Sequence, residues 1–277
     1  MHAGSLLVAL GSYLSARAQQ GRWLIRMEDL DVPRCSAQAA DMILRQLEVL
    51  GFEWDGEVMT QSSSNESYLA TLQNLQANGQ IYSCQCSRRD WVDTGETRVY
   101  AGTCRERNLL ASERHALRLR VHAGKIGFDD RIQGRVEQLV AEAVGDFVLR
   151  RTDGYVAYQL AVVVDDAECG VTEVVRGADL LDSTPRQIYL RNVLGLPTPH
   201  YAHLPLLINP AGQKLSKQTR ATPIALGNPL DDLRPAMALL GHPVPPAIDR
   251  LQDFWPWALA AWSEANVPKT TQLLATV

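Results

Sequence analysis

The chain has 277 residues, with 27 Lys and Arg against 31 Asp and Glu for a net charge of −4, and 46 % of its residues are hydrophobic and 21 % charged. These proportions describe a globular protein of one large domain or two smaller ones, and exclude a disordered, collagen-like or coiled-coil chain. No apolar run approaches the roughly 20 residues of a bilayer span, the start lacks the basic region and cleavage site of a secretory signal, and the small negative charge argues against indiscriminate nucleic-acid binding; a cytoplasmic location with no membrane contact is expected.

Leu6, Leu7, Leu10, Leu14 and Ala18 recur at helical spacing, and Gly21 ends the pattern. Residues 22–27 read as a short strand running into the acidic cluster Glu28, Asp29 and Asp31. Helix returns over 38–50, with Ile43, Leu44, Leu47 and Leu50 on one face and Gly51 as terminator. Another helix starts at Ser63, where Ser63-x-x-Glu66 fits a capping box, and reaches about Ala77 before the Asn78-Gly79 turn. Residues 82–122 carry Cys84, Cys86 and Cys104, many arginines and little periodicity, as in an inserted module whose small core a metal would help to hold.

The next section is strand-rich. Residues 146–151 and 155–158 flank Asp153-Gly154, a strong hairpin signal. Residues 160–164 and 171–175 are apolar and β-branched, which predicts strands buried on both faces. Ser183-Thr184-Pro185 opens a helix to about Leu194. Residues 204–208 make a last short strand, followed by a loop over 210–219 and a helical tail from about Pro229, whose Trp255, Trp257 and Trp262 are expected in core packing.

Strands alternating with helices predict an α/β fold with an open, mostly parallel sheet that binds ligands beyond the carboxyl ends of its strands. Glu28-Asp29, Asp165-Asp166, Arg176-Gly177 and the loop with Lys214 and Lys217 are then the places to inspect. His2-Ala3-Gly4-Ser5 stands directly before a helix, whose unpaired N–H groups and partial positive charge suit an anion; the competing reading is a plain N-terminal tail. Lys214-Leu215-Ser216-Lys217-Gln218 offers two ammonium groups to the charge building on a triphosphate; the competing reading is a solvated basic loop. Five cysteines, three of them clustered and none in an exported context, favour tetrahedral structural Zn²⁺ over a disulfide framework, against the alternative of three unligated thiols.

Taken together, His-x-Gly at one end and Lys-x-Ser-Lys at the other make the chain resemble the class I aminoacyl-tRNA synthetases of the glutamyl branch. The longer runs carry the likeness: Arg26-Met27-Glu28-Asp29-Leu30-Asp31 with Arg34 following, the stretch from Tyr158 to Asp166, and the stretch from Val171 to Leu180. The resemblance covers nearly the whole chain. It implies a Rossmann-like doubly wound parallel sheet with an inserted zinc-binding module and a short helical C-terminal region, divided as 1–81, 82–145, 146–225 and 226–277. It also implies zinc ligation by Cys84, Cys86, Tyr100 and Cys104. Tyr100 is the weakest ligand chemically, because a phenol has to lose or share its proton, and His115 or water is the alternative.

The branch's short members imply a two-step reaction. The α-carboxylate of L-glutamate attacks the α-phosphate of ATP, with Mg²⁺ as companion, releasing pyrophosphate; the glutamyl group then moves to the cyclopentene ring of queuosine in the anticodon loop of tRNA(Asp). Catalytic Lys217, Lys214 and His2, with His2, Gly4 and Lys217 on ATP, and Glu28, Tyr158 and Arg176 on glutamate, are the residues expected to act. Glu28 suits the substrate ammonium and Arg176 a carboxylate through a bidentate fork. The bland alternatives are a capping or salt-bridged surface acid for Glu28 and an ion pair with Asp179 for Arg176. No obligate dimer is indicated, so a monomer is expected.

Two departures bear on activity. The family begins with a strand and turn before His-x-Gly, whereas Met1-His2 opens this chain, so the sheet is expected to lack its first strand and the pocket an arginine. Ser62-Ser63-Ser64-Asn65 stands where related enzymes often place an arginine. About 60 residues follow Lys217, which leads us to expect no large anticodon-binding domain. A shortened glutamyl-tRNA synthetase charging a tRNA 3′ end and a catalytically silent zinc-stabilised RNA-binding paralogue stay open as alternatives.

Overall fold

Leu6, Leu7, Leu10 and Leu14 form the buried face of a helix over Ala3–Ala18. A computed structural model of the chain describes residues 1–31, 35–87, 90, 92–93, 98–110, 112, 114–215, 223–224 and 227–275. The first helix is the axle of the larger core. It packs against the strand Glu173–Gly177 and the tail helices Pro229–Leu239 and Leu251–Ala261. Gly11 lets the backbone come close to Leu204, since a Cβ there would lie 2.5 Å from a Leu204 methyl.

Glu173–Gly177 runs parallel to His200–Leu204 in unbroken register from Glu173 opposite His200 to Gly177 opposite Leu204. A single bridge between Tyr201 and Asp130 joins to them the antiparallel hairpin of Lys125–Asp130 and Gly134–Leu139. Arg26–Met27 pairs in parallel with Met59–Thr60, and Leu206–Ile208 with Gln272–Leu274. The α/β class with parallel pairing therefore holds, but among the described residues the one predicted sheet is divided into smaller ones. The strand at the chain's end was invisible in a tail that reads as helical.

A second core forms around the helix Asn65–Ala77 and the antiparallel sheet of Ile81–Cys84, Ala116–Leu119 and Val148–Arg150. Its centre corrects one expectation. Residues 160–164, predicted as a strand, lie in a helix, Tyr158–Glu168, and Leu160, Ala161, Val162, Val163, Val164 and Asp165 are all buried. A helix enclosed on every side needs no polar face, so its sequence loses the 3.6-residue period and reads like an interior strand. Asp165-Asp166 accordingly sit in a helix and not after a strand.

Other differences are local. The helix Ala37–Val49 is capped by Ser36, whose side chain accepts from the N–H of Ala39 at 3.1 Å. The predicted capping box at Ser63 is absent: Ser63 Oγ donates to the Thr60 carbonyl at 2.6 Å, and a 3₁₀ turn over Gln61–Ser64 precedes the helix. Asp29 holds that turn instead, accepting from the Ser62 N–H at 2.8 Å and hydroxyl at 2.6 Å. The Asp153-Gly154 turn is present, with Gly154 at φ +87, but the returning strand shrinks to one bridge between Arg150 and Val156. In the tail, Trp255 packs edge-on to Tyr13 and Phe52, each at 5.0 Å, and Trp262 stacks on His242 at 5.0 Å, the core use expected of them.

Candidate active site

A cleft of about 990 Å³ opens between the strands Arg26–Met27 and Glu173–Gly177. The facing edges of these strands carry no strand partner among the described residues. Helix Ala3–Ala18 supplies one wall through Ala9, Ser12 and Ala16; helix Tyr158–Glu168 supplies another through Tyr158, Val162 and Asp166. Glu28, Tyr158 and Arg176, singled out in the sequence for one ligand, all line this cleft.

Arg176 is held by neutral groups. Its Nε donates to His203 Nε2 at 3.1 Å, and Nη2 donates to Thr184 Oγ1 at 2.9 Å and Gln187 Oε1 at 2.8 Å. Nη1 has only a long contact to the Tyr158 hydroxyl, 3.5 Å. Among the described residues no carboxylate pairs with Arg176. Asp179, its candidate partner, takes the Lys214 ammonium instead. A cation held in place but not neutralised, on a cleft wall, is suited to an anionic ligand.

Glu28 faces the same cleft with 45 % of its side chain exposed. The closing walls strip water from its carboxylate and raise its pKa above the ordinary glutamate value, against the pull of Arg26. Arg26 lies 3.6 Å from Glu28 but bonds more closely to Asp166, at 2.8 Å. Glu28 is thus not a helix cap, and the salt-bridged alternative is present only as a loose pair with Arg26. Burial also raises the Tyr158 phenol, with Arg176 opposing, so Tyr158 stays a neutral donor.

The nucleotide-side candidates gather near one end of the first helix. His2 is its N-cap: Nδ1 accepts from the Ser5 N–H at 3.2 Å, and Nε2 lies 3.0 Å from the Ser5 hydroxyl. A Cβ on Gly4 would come within 3.2 Å of the His2 ring and 3.9 Å of Leu207 Cβ. Leu207 in turn accepts from the Leu215 N–H at 2.8 Å, and Lys214 bridges to Ile208. His2 bridges to Pro223, and the Met1 carbonyl accepts from the Ile224 N–H at 2.9 Å. Lys217, with Ser216, Gln218 and the motif's Arg34, lies outside the described residues, but described residues on both sides of Lys217 are anchored beside His2 and Gly4.

Away from the cleft, the Sγ atoms of Cys84, Cys86 and Cys104 all lie within 4.8 Å of one another. The Tyr100 hydroxyl is 3.3 Å from Cys84 Sγ and 3.7 Å from Cys86 Sγ. Thiolates around tetrahedral zinc stand about 3.7 Å apart for Zn–S bonds of about 2.3 Å; Cys86 and Cys104 are 3.4 Å apart. The donor set fits the ion. Arg118 adds compensating charge, donating to Cys84 Sγ at 3.2 Å and lying 3.7 Å over the Tyr100 ring. Burial pushes the Cys86 thiol up to about 11 and raises the Tyr100 phenol further still, so each needs a cation to surrender its proton. His115, the alternative fourth ligand, is half-buried and bonded to the Leu110 carbonyl at 3.2 Å.

Sequence reasoning missed Asp130 and His203 behind Arg176; it named Arg26 and Asp165-Asp166 but not the Arg26–Asp166 ion pair beside the cleft. His203, inside the strand His200–Leu204, was the one visible signal for the first pair.

A family model described as tRNA synthetases class I (E and Q), catalytic domain, matches residues 1–240. A glutamyl-Q tRNA(Asp) synthetase of Chromobacterium violaceum is 53 % identical over 272 residues, 97 % of this chain and 91 % of that protein. Another, of Aromatoleum aromaticum, is 50 % identical over 278 residues, 98 % of this chain and 88 % of that protein. A solved glutamate-tRNA synthetase from Elizabethkingia anophelis superposes with a TM-score of 0.80 at 22 % identity, covering 100 % of this chain and 66 % of that one. The chain therefore spans just under two thirds of that solved synthetase, and the likeness at this identity is one of fold.

Proposed function

The chain belongs to the class I tRNA synthetases of the E and Q type, and from that premise we propose that it activates L-glutamate with ATP and transfers the glutamyl group to queuosine in the anticodon loop of tRNA(Asp). The observation that carries the reading is Arg176, fixed by neutral partners on the cleft wall and facing the same space as Glu28 and Tyr158. Arg176 takes the side-chain carboxylate of glutamate, Glu28 its ammonium, and Tyr158 donates from the wall. An amino acid lacking that carboxylate leaves a desolvated guanidinium unmet, which is how a polar pocket rejects the wrong substrate.

The α-carboxylate then attacks the α-phosphorus of ATP, the bond to the bridging oxygen breaks, and pyrophosphate leaves. Such a transfer needs positioning and charge stabilisation more than covalent help from the protein. The N-terminus of the first helix, with His2 and Gly4, is assigned to the nucleotide, and Lys217, with Lys214 once it leaves Asp179, to its phosphates. Mg²⁺ travels with ATP and offsets phosphate charge. In the second step a ring hydroxyl of queuosine attacks the acyl carbon and AMP leaves. Relatives named for this acceptor match at about half identity along nearly the whole chain, which supports queuosine over a tRNA 3′ end. Cys84, Cys86, Tyr100 and Cys104 hold a structural zinc that braces the arginine-rich segment. The protein works as a cytoplasmic monomer; among the described residues no helix is long and apolar enough to cross a membrane.

Glutamate-dependent pyrophosphate exchange without tRNA tests the first step. Labelling of tRNA(Asp) with and without queuosine tests the second. Exchange and queuosine-dependent labelling are expected; absence of exchange, or labelling at the 3′ end of tRNA lacking queuosine, overturns the reading.

A further inference from the structure

The guanidinium of Arg176 is aimed by a buried relay. His203 is fully buried, and its Nδ1 lies 2.6 Å from Asp130 Oδ2, an atom pair whose side chains are both inaccessible to solvent. Asp130 Oδ1 is already occupied, accepting from the backbone N–H groups of Ile132 at 3.0 Å, Gln133 at 2.8 Å and His203 at 3.1 Å. On the other side of the ring, Nε2 faces Arg176 Nε at 3.1 Å and Thr184 Oγ1 at 3.1 Å.

Two independent arguments assign the same proton. An ionised carboxylate only accepts, so Nδ1 carries hydrogen; a guanidinium only donates, so Nε2 carries a lone pair. We propose that Asp130 and His203 are the positioning pair for Arg176, locking one imidazole tautomer so that Nε and Nη2 are bound behind the cleft wall and Nη1 is left for the substrate carboxylate. The proposal rests on the reading of Arg176 as the residue that binds the glutamate side chain. Burial, aided by the nearby Arg176 charge, keeps the ring neutral by lowering its pKa against the pull of Asp130. No partner of Arg176 in this relay is a carboxylate, so the relay orients the cation without neutralising it.

The test is a tautomer flip. In D130N the side-chain oxygen stays with its three backbone donors, so the amide NH₂ faces His203 Nδ1 and drives the ring proton to Nε2, against the Arg176 N–H. The KM for glutamate in pyrophosphate exchange is expected to rise at least about tenfold, with kcat and the KM for ATP within about twofold. H203Q, whose amide oxygen reaches the former Nε2 position, should lose far less than H203N, which reaches only Asp130. Adding D130N to H203Q should cost little, because no tautomer remains to flip. Parallel changes in glutamate and ATP parameters, no change in D130N, or equal losses in H203Q and H203N would overturn the proposal.

Nitrogen-15 spectroscopy of the wild-type imidazole, assigned by its loss in H203Q, needs no substrate: Nδ1 protonated and Nε2 bare is expected, and the reverse overturns the relay. Wild-type protein without glutamate-dependent exchange would sink the functional reading instead, and the spectrum would still decide the tautomer.

Discussion

Arg176 and Glu28 carry opposite charges into one cleft, and each has a distinct experimental signature. Charge-assisted hydrogen bonds are worth about 1.5–3 kcal/mol, and a Lys cannot keep the bonds that Nε and Nη2 make to His203, Thr184 and Gln187 while presenting a cation to the cleft. R176K is therefore expected to raise the KM for glutamate by roughly 10- to 100-fold while sparing that for ATP, as read by exchange kinetics. Glu28 binds an ammonium only when ionised, and crowding by the cleft walls holds its pKa above the ordinary value of 4.5. Glutamate affinity should therefore fall on the acid side at a higher pH than an ordinary carboxylate would dictate. E28Q should bind weakly at every pH and lose that acid limb; an unchanged profile in E28Q would remove Glu28 from the site.

At the scale of elements, Gly145 ties the segment with the cysteine cluster to the second core. It has φ +71 and bridges to Tyr100, whose carbonyl oxygen a Cβ at Gly145 would strike. Gly79, at φ +65, has nothing within 4 Å of such a Cβ. G79A therefore reports the conformational cost alone, about 1–2 kcal/mol. G145A adds the collision and should exceed it by a further 1–3 kcal/mol or so, with weaker zinc retention because Tyr100 is displaced. Equal urea midpoints for the two variants would contradict this. The helix Tyr158–Glu168 shows why elements were unevenly legible. The helix Ala37–Val49 keeps an exposed polar face, and its period survives in the sequence. Leu160 to Val164 is buried all round, so apolar composition stayed readable while the choice of helix over strand did not.

For the whole molecule, stability should depend on buried histidines. Burial lowers His203 and His242 below the ordinary imidazole value of 6.5. The unfolded chain therefore binds more protons than the folded one below pH 6.5, and stability falls as pH drops from there toward the depressed folded values. Above pH 6.5 these groups contribute no slope. Asp130, held below 3.8 by its bonds from His203 and Gln133 despite burial, adds a loss only in stronger acid, as pH falls through its folded value. Glu28 and Asp232 are raised by burial and run the opposite way. The clean measurement is thus the difference in urea stability between wild type and H203Q at pH 7.5 and 5. Wild type should lose more on acidification, by at most about 1.4 kcal/mol per pH unit per proton; equal losses would mean that His203 is not buried neutral.

The amino-acid sequence by itself determined the α/β class, most helix positions and the clustered cysteines, because periodicity, caps and residue spacing are local features; the grouping of Glu28, Tyr158 and Arg176 came from the family resemblance of the runs that hold them. Tertiary structure alone decided that Asp179 binds Lys214 and not Arg176, that residues 160–164 are helical, and that the chain's last strand pairs with Leu206–Ile208. It also brought Asp130 from a hairpin and His203 from a parallel strand to the back of Arg176. These contacts join residues distant along the chain, and their energies come from burial and pairing that no local pattern records.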